Sequence, residues 1–180
     1  VQFFLLDNRW FRTPDRNRLG PDRAMLGEQQ LQWLVDNLVY SRATFKVIVI
    51  GGQVLNPADL EENYADYASE REQLLRAISE ARVPGVLFLD GDRHHTVLTK
   101  LDRAGRYPLY DLTVSPITSS SYEPKNEANT AAVSGTLVAE RNFAVIEVKG
   151  PRTDRTLTIR IHDVKGTEKW RRDIKASELK

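Results

Sequence analysis

The sequence contains no cysteine and a single methionine. The first absence excludes disulfides, thiolate zinc sites and cysteine nucleophiles within the chain. No run of about 18 apolar residues occurs, so no segment reads as a membrane-spanning helix. No basic, apolar and small-residue sequence typical of a secretory signal opens the chain at Val1. An excess of charge is also missing. The 26 Lys and Arg face 25 Asp and Glu, a formal net charge of +1, which provides no global field for nucleic acid or an anionic membrane. Gly-rich phosphate loops and Gly-x-Ser-x-Gly elbows are absent. The three Trp residues do not cluster in sequence with basic residues as a base-stacking platform would.

What is present fits one folded unit. The 180 residues fall within the usual domain size of about 100–200. Phe3–Leu6 is short and apolar, and reads as a strand buried on both faces. Asn8–Arg23, rich in Arg, Asp, Pro and Gly, reads as a long surface loop. Leu26, Leu31, Leu34, Val35 and Leu38 fall at helical spacing, which predicts a helix over Gly27–Val39. Phe45–Ile50 is the next strand, ending in a sharp turn at Gly51-Gly52-Gln53. Acidic Asn56–Tyr67 reads as a loop. Ser69-Glu70-Arg71-Glu72 reads as a capping box for a helix that buries Leu74, Leu75 and Ile78 and runs to about Ala81. Gly85–Asp90 is a third apolar strand.

Strand, helix, strand, helix, strand indicates an α/β sheet with parallel strands. The later segments Tyr107–Val114, Gly135–Ala139, Asn142–Lys149, Thr156–Asp163 and Glu168–Ile174 read as antiparallel neighbours joined by short turns. Ser115–Ser134, rich in Ser, Asn and Pro, reads as a mobile surface loop.

In open α/β sheets, ligands sit beyond the carboxyl ends of the strands. Three places qualify: Asp7-Asn8-Arg9, Gly52-Gln53 and Gly91-Asp92-Arg93-His94-His95. Asp92 and His94 are two residues apart, so an extended backbone would send both side chains to one side. A carboxylate with an imidazole suits iron, zinc or manganese, and calcium where oxygens dominate. The same Asp-x-His also fits a plain turn in which the Asp bonds its own backbone. Two ligands do not complete a catalytic site. The arginines Arg9, Arg12, Arg16, Arg18 and Arg23 suit either phosphate binding or a solvated loop, given Asp15 and Asp22 among them. His162 lies in an alternating strand and reads as a surface or structural residue.

In order along the chain, several stretches resemble the alkaline phosphatase D (PhoD-like) metallophosphatases, within the calcineurin-like superfamily. They are Phe3-Phe4-Leu5-Leu6-Asp7-Asn8-Arg9, Leu26-Gly27 with Gln30 and Trp33-Leu34, and Ser41 to Ile48. Gln53-Val54-Leu55-Asn56, Gly85-Val86 through Gly91-Asp92-Arg93-His94, Tyr107 to Thr113 and Glu140 to Phe143 follow. The resemblance implies an α/β (α+β) fold, the C-terminal half of a four-layer α-β-β-α sandwich with mixed sheets. It implies a metal-dependent phosphatase acting on phosphate monoesters or diesters. A phospholipase- or nuclease-type diesterase and a non-catalytic, partner-binding half-domain are the alternatives.

On the match of Gly91-Asp92-Arg93-His94 to the family's last metal motif, Asp92 and His94 would each bind one of two metals. Calcium and iron are implied, with manganese or zinc as alternatives. Gln53 would stand beside the metals. Arg93 or His95 would contact the phosphate or protonate the leaving group, and Arg9 would bind substrate. The family's earlier motifs lie upstream of a strand like Val1–Leu6 and are not in this sequence. The expectation is therefore a fragment whose partner is the N-terminal half of the same polypeptide; the resemblance, and not this chain, implies an exported parent.

Overall fold

The computed structural model describes residues 1–14, 23–58, 60 and 62–180. Arg16, Arg18, Asp15 and Asp22 lie outside the described residues, as does the middle of the predicted 8–23 loop. The strands are β1 (Gln2–Leu5), β2 (Lys46–Val49), β3 (Val86–Asp90), β4 (Val97–Arg103), β5 (Arg106–Thr113), β6 (Asn142–Lys149), β7 (Thr156–Asp163) and β8 (Glu168–Lys175). The helices are α1 (Glu28–Tyr40) and α2 (Ala68–Glu80), with a 3-10 turn at Tyr64–Tyr67 before α2.

The first sheet has the order β1-β2-β3-β5-β4; its first four strands are parallel, and β4 is antiparallel to β5. The second is an antiparallel β6-β7-β8 meander. Side-chain alternation gives the first sheet two apolar faces. Phe4, Ile48, Val86, Phe88 and Leu109 pack with Leu31, Leu34 and Leu38 of α1 and Leu74 and Ile78 of α2. Leu87, Leu98, Tyr110 and Leu112 pack on Leu157, Ile159, Ile161 and Ile174 of the second sheet. Helices, five-stranded sheet and three-stranded sheet thus form three of the four layers expected.

Four expectations are corrected. β1 is not buried on both faces: Phe4 is buried, but Phe3 is 54% and Leu5 72% exposed. β1 is an outer strand, and the second sheet does not extend over it. Tyr107–Val114 does not join the antiparallel strands, because β5 pairs in parallel with β3, Leu87 opposite Tyr110 and Asp90 opposite Thr113. Its antiparallel neighbour is β4, a strand the sequence reading missed. Gly135–Ala139 is not a strand; only Val138 pairs, with Thr96. The capping box at Ser69 does not form. The helix starts at Ala68, with Tyr67 at the cap position and no side-chain cap bond.

Glu70, the residue after Ser69, has a different task. Its buried carboxylate accepts the backbone N–H groups of Met25, Leu26 and Gly27 at 2.7, 3.0 and 2.8 Å and the Tyr64 hydroxyl at 3.1 Å. Helix α1 begins at the next residue, so Glu70 anchors its entry segment to α2. Burial and this carboxylate push the Tyr64 hydroxyl far above the ordinary tyrosine range.

Gly85 sets the start of β3. Its N–H donates to Leu179 O at 2.8 Å, its carbonyl accepts Lys46 N–H at 2.7 Å, and its φ is +73°. A Cβ there would lie 2.0 Å from Thr44 O. Gly85→Ala is expected to destabilise the chain by on the order of 2–4 kcal/mol, combining left-handed strain with a backbone clash. Urea unfolding measures this; an unchanged midpoint would contradict the close approach.

Candidate active site at the strand ends

The carboxyl ends of β1, β2 and β3 lie side by side because these strands are parallel neighbours. After β1, Asp7 Oδ1 accepts the N–H groups of Arg9 and Trp10 at 2.8 and 2.9 Å, turning the chain. Gln30 of α1 holds this turn from below: its Oε1 accepts Asp7 N–H and its Nε2 donates to Asp7 O, both at 2.8 Å. Asn8 packs into the next strand end. A Cβ on Gly51 would lie 2.6 Å from Asn8 Oδ1, and one on Gly52 would lie 2.7 Å from Glu62 O. The glycine pair therefore provides room for two neighbouring chain segments.

Arg9 spans the cleft. Nη1 lies 2.7 Å from Glu62 Oε1, and Nη2 lies 3.9 Å from Asp92 Oδ1. Arg12 reaches the same Glu62 oxygen at 3.2 Å. The two guanidinium groups, Arg9 first, hold the Glu62 carboxyl below its ordinary range. Arg23 instead pairs with Asp66 at 2.8 Å and covers the Tyr67 ring. Arg9, Arg12 and Arg23 thus divide between two carboxylates of the segment after β2, Glu62 and Asp66.

After β3 the backbone does not stay extended. Asp92 and His94 both adopt left-handed conformations, φ 66° and 56°, and Arg93 N–H bonds Gly91 O at 2.7 Å. The same-side argument for an extended Asp-x-His therefore lapses, because Gly91–His95 is a tight turn. Asp92 remains exposed, and no backbone N–H bonds its carboxylate among the described residues; the Asx turn is made by Asp7. His94 Nδ1 lies 3.4 Å from Ser120 Oγ, leaving Nε2 without a protein partner among the described residues. His94 N–H donates to Ser115 Oγ at 2.7 Å, and its carbonyl accepts Tyr122 N–H at 2.8 Å. The loop expected to be mobile is thus bonded to this turn.

Gln53 is buried. Its Nε2 donates to Thr113 Oγ1 at 2.9 Å, and its Oε1 accepts Asn56 Nδ2 at 2.8 Å. Arg93 Nη2 is paired with Glu127 Oε2 at 2.9 Å. His95 is 1% exposed, with its ring 6.3 Å from that of Tyr122. Burial lowers the pKa of its imidazole and favours the neutral form.

Two carboxyls that the sequence reading left out of the site lie beneath it. Asp111 Oδ2 accepts Val54 and Leu55 N–H at 2.8 and 2.7 Å. Asp90 is buried beside it; burial, then the Asp111 carboxylate, raise the pKa of its carboxyl well above the usual carboxylate range. Their signal was an acid set in each of two otherwise apolar strands, Asp90 as the last residue of β3 and Asp111 within β5.

No group of three or more His, Asp or Glu among the described residues is arranged to hold a metal ion. Asp92 offers an exposed carboxylate and His94 an uncommitted ring nitrogen. That donor chemistry would suit part of a metal site, and the remaining ligands of such a site would have to come from outside these residues. His162 lies apart, on β7, stacked 5.4 Å from Phe143 with Nδ1 3.1 Å from Gly166 O.

A mostly parallel sheet with polar strand-end turns, packed between two helices and a second antiparallel sheet, defines part of an α/β sandwich. The sequence model of the PhoD-like phosphatase family matches residues 1–153, and the chain belongs to that family. It is 28% identical over 112 residues to alkaline phosphatase D of Bacillus subtilis (strain 168), a match spanning 52% of this chain and 19% of that protein. The solved structure of PhoD superposes with a TM-score of 0.69 at 17% identity, covering 96% of this chain and 41% of that one. The chain therefore spans less than half the length of either relative.

Proposed function

We propose that this chain is the C-terminal part of a metal-dependent phosphoesterase that hydrolyses phosphate monoesters or diesters. The observation that carries the reading is the alignment of three strand ends, with the Arg9 guanidinium 3.9 Å from the Asp92 carboxylate at their mouth. Asp92 and His94 would each hold one ion of a dinuclear centre, with calcium and iron first and manganese or zinc as alternatives. Such a centre supplies an acidified water and neutralises charge on the attacking and leaving oxygens. Arg9, held by Glu62, orients a phosphate oxygen. Buried Gln53 fixes the floor of the cleft. Arg93 and His95 support the turn from behind: one faces Glu127, and the other lies inside the fold.

The remaining ligands would come from an upstream segment of a longer polypeptide. Exposed Phe3 and Leu5, with a groove of about 550 Å³ lined by Leu5, Phe11, Leu26 and Trp33, suit such a neighbour. Export of the longer polypeptide belongs to the same proposal. Among the described residues, no helix is long and apolar enough to cross a membrane.

The test is hydrolysis of chromogenic phosphate monoesters and diesters with calcium, iron, manganese or zinc. The longer polypeptide is expected to turn over and to lose activity with chelator. The 180-residue chain alone is expected to be inactive or nearly so, because an incomplete ligand set does not fix a metal's geometry. Equal turnover by both would overturn the half-site reading. No turnover by the longer polypeptide with any metal would favour a partner-binding module.

A further inference from the structure

Glu127 belongs to none of the strand-end motifs, and comes from the Ser115–Ser134 segment read as a surface loop. Its carboxylate is nevertheless only 5% exposed and has two committed partners. Oε2 accepts Arg93 Nη2 at 2.9 Å, and Oε1 accepts Asn56 Nδ2 at 2.8 Å. Asn56 is completely buried, and its other Nδ2 hydrogen goes to Gln53 Oε1 at 2.8 Å. Asn56 Oδ1 accepts Ala58 N–H at 3.0 Å. Gln53 Nε2 then faces Thr113 Oγ1 at 2.9 Å.

The direction of this chain of bonds is fixed. An ionised carboxylate only accepts, so Asn56 must present its amide nitrogen to Glu127. A flipped Asn56 would set Oδ1 against Glu127 Oε1 and Gln53 Oε1, and its NH₂ against Ala58 N–H. The unflipped Asn56 obliges Gln53 to turn its oxygen inward and its nitrogen toward Thr113. One buried acid thereby sets the orientation of the Gln53 amide while gripping the turn that carries Asp92 and His94.

We propose that Glu127 is a positioning residue of the site, locking the loop after β2 to the turn after β3. The lock fixes the Gln53 amide and the separation of the two strand-end segments. Its catalytic consequence rests on the phosphoesterase reading above; the tether itself does not.

The experiment has two arms, each using Glu127→Gln and Glu127→Ala. In the 180-residue chain, the side-chain amide resonances of Gln53 and Asn56 report the tether. Glu127→Ala is expected to shift both and to speed their hydrogen exchange. If Glu127→Ala does not fold, Glu127→Gln, which keeps the shape but adds a donor, is expected to move the same resonances. In the longer polypeptide with manganese, kcat/KM for a chromogenic phosphate ester is expected to fall roughly 10- to 100-fold, the scale of effect when the supports around a metal site are lost and the reacting groups are misplaced. The fall should be carried by kcat rather than KM, as for lost alignment in the transition state. Unmoved Gln53 and Asn56 resonances in a folded variant would overturn the tether. Moved resonances with wild-type kcat would overturn the positioning role. If the wild-type longer polypeptide hydrolyses no ester, the phosphoesterase reading fails and takes the catalytic consequence with it, while the resonances alone decide the tether.

Discussion

Asp92→Asn and His94→Asn are each expected to abolish phosphate-ester hydrolysis by the longer polypeptide while leaving its fold intact. The loss should exceed about 100-fold, the upper end of what removing an outer-shell partner costs. Both positions have left-handed backbones, φ 66° and 56°. Asn is among the residues that tolerate this conformation best, so these substitutions separate chemistry from strain. At Asp92 the amide keeps the shape and loses the charge that holds a cation. At His94 it removes the imidazole. His162→Ala is the control, because that ring stacks on Phe143 in the second sheet, on a strand that carries none of the proposed ligands. Activity, bound metal and circular dichroism should be measured together. Full activity with metals retained in Asp92→Asn would remove the residue on which the proposed centre most depends. A large loss from His162→Ala in a folded protein would move the site to the C-terminal strands.

Glu70→Ala is expected to produce the largest stability loss of any single truncation considered, on the order of 3–5 kcal/mol. Three backbone N–H groups and the Tyr64 hydroxyl lose their acceptor together. Stranding a buried donor costs roughly 1–3 kcal/mol, and several share one cavity here, so the costs do not simply add. Glu70→Gln should cost less. With its oxygen in the Oε2 position it keeps Met25, Leu26 and Tyr64, and only Gly27 N–H meets a donor. Denaturant unfolding of the 180-residue chain gives both values. A loss below about 1 kcal/mol for Glu70→Ala, the ordinary size of a point-mutation effect, would mean that α1 is not anchored through this carboxylate.

The sequence by itself determined the order of the first three strands and two helices, because apolar periodicity records which side of a local segment is buried. Leu31, Leu34 and Leu38 on α1 and Leu74 and Ile78 on α2 all face the core as that periodicity requires. The strand-end placement of Asp7–Arg9, Gln53 and Gly91–His95 was legible for the same reason: each follows an apolar run that ends abruptly. Periodicity does not record the partner. Nothing local in Tyr107–Thr113 distinguishes pairing with β3 from pairing with the later meander. That choice follows from the β4–β5 hairpin folding back beside β3, and from Asp111 reaching the N–H groups of Val54 and Leu55.

Only the tertiary structure decided the conformation of Asp92 and His94, since the alternation of an extended strand stops at Asp90. It also took Glu70 away from the local capping pattern and gave it to three N–H groups more than forty residues upstream. Glu127 shows the same limit most clearly. In sequence it is one acid in a polar loop, and burial is what commits its two oxygens to Arg93 and Asn56. A charge removed from water must find partners wherever the fold brings them, and its sequence neighbours do not reveal which these will be.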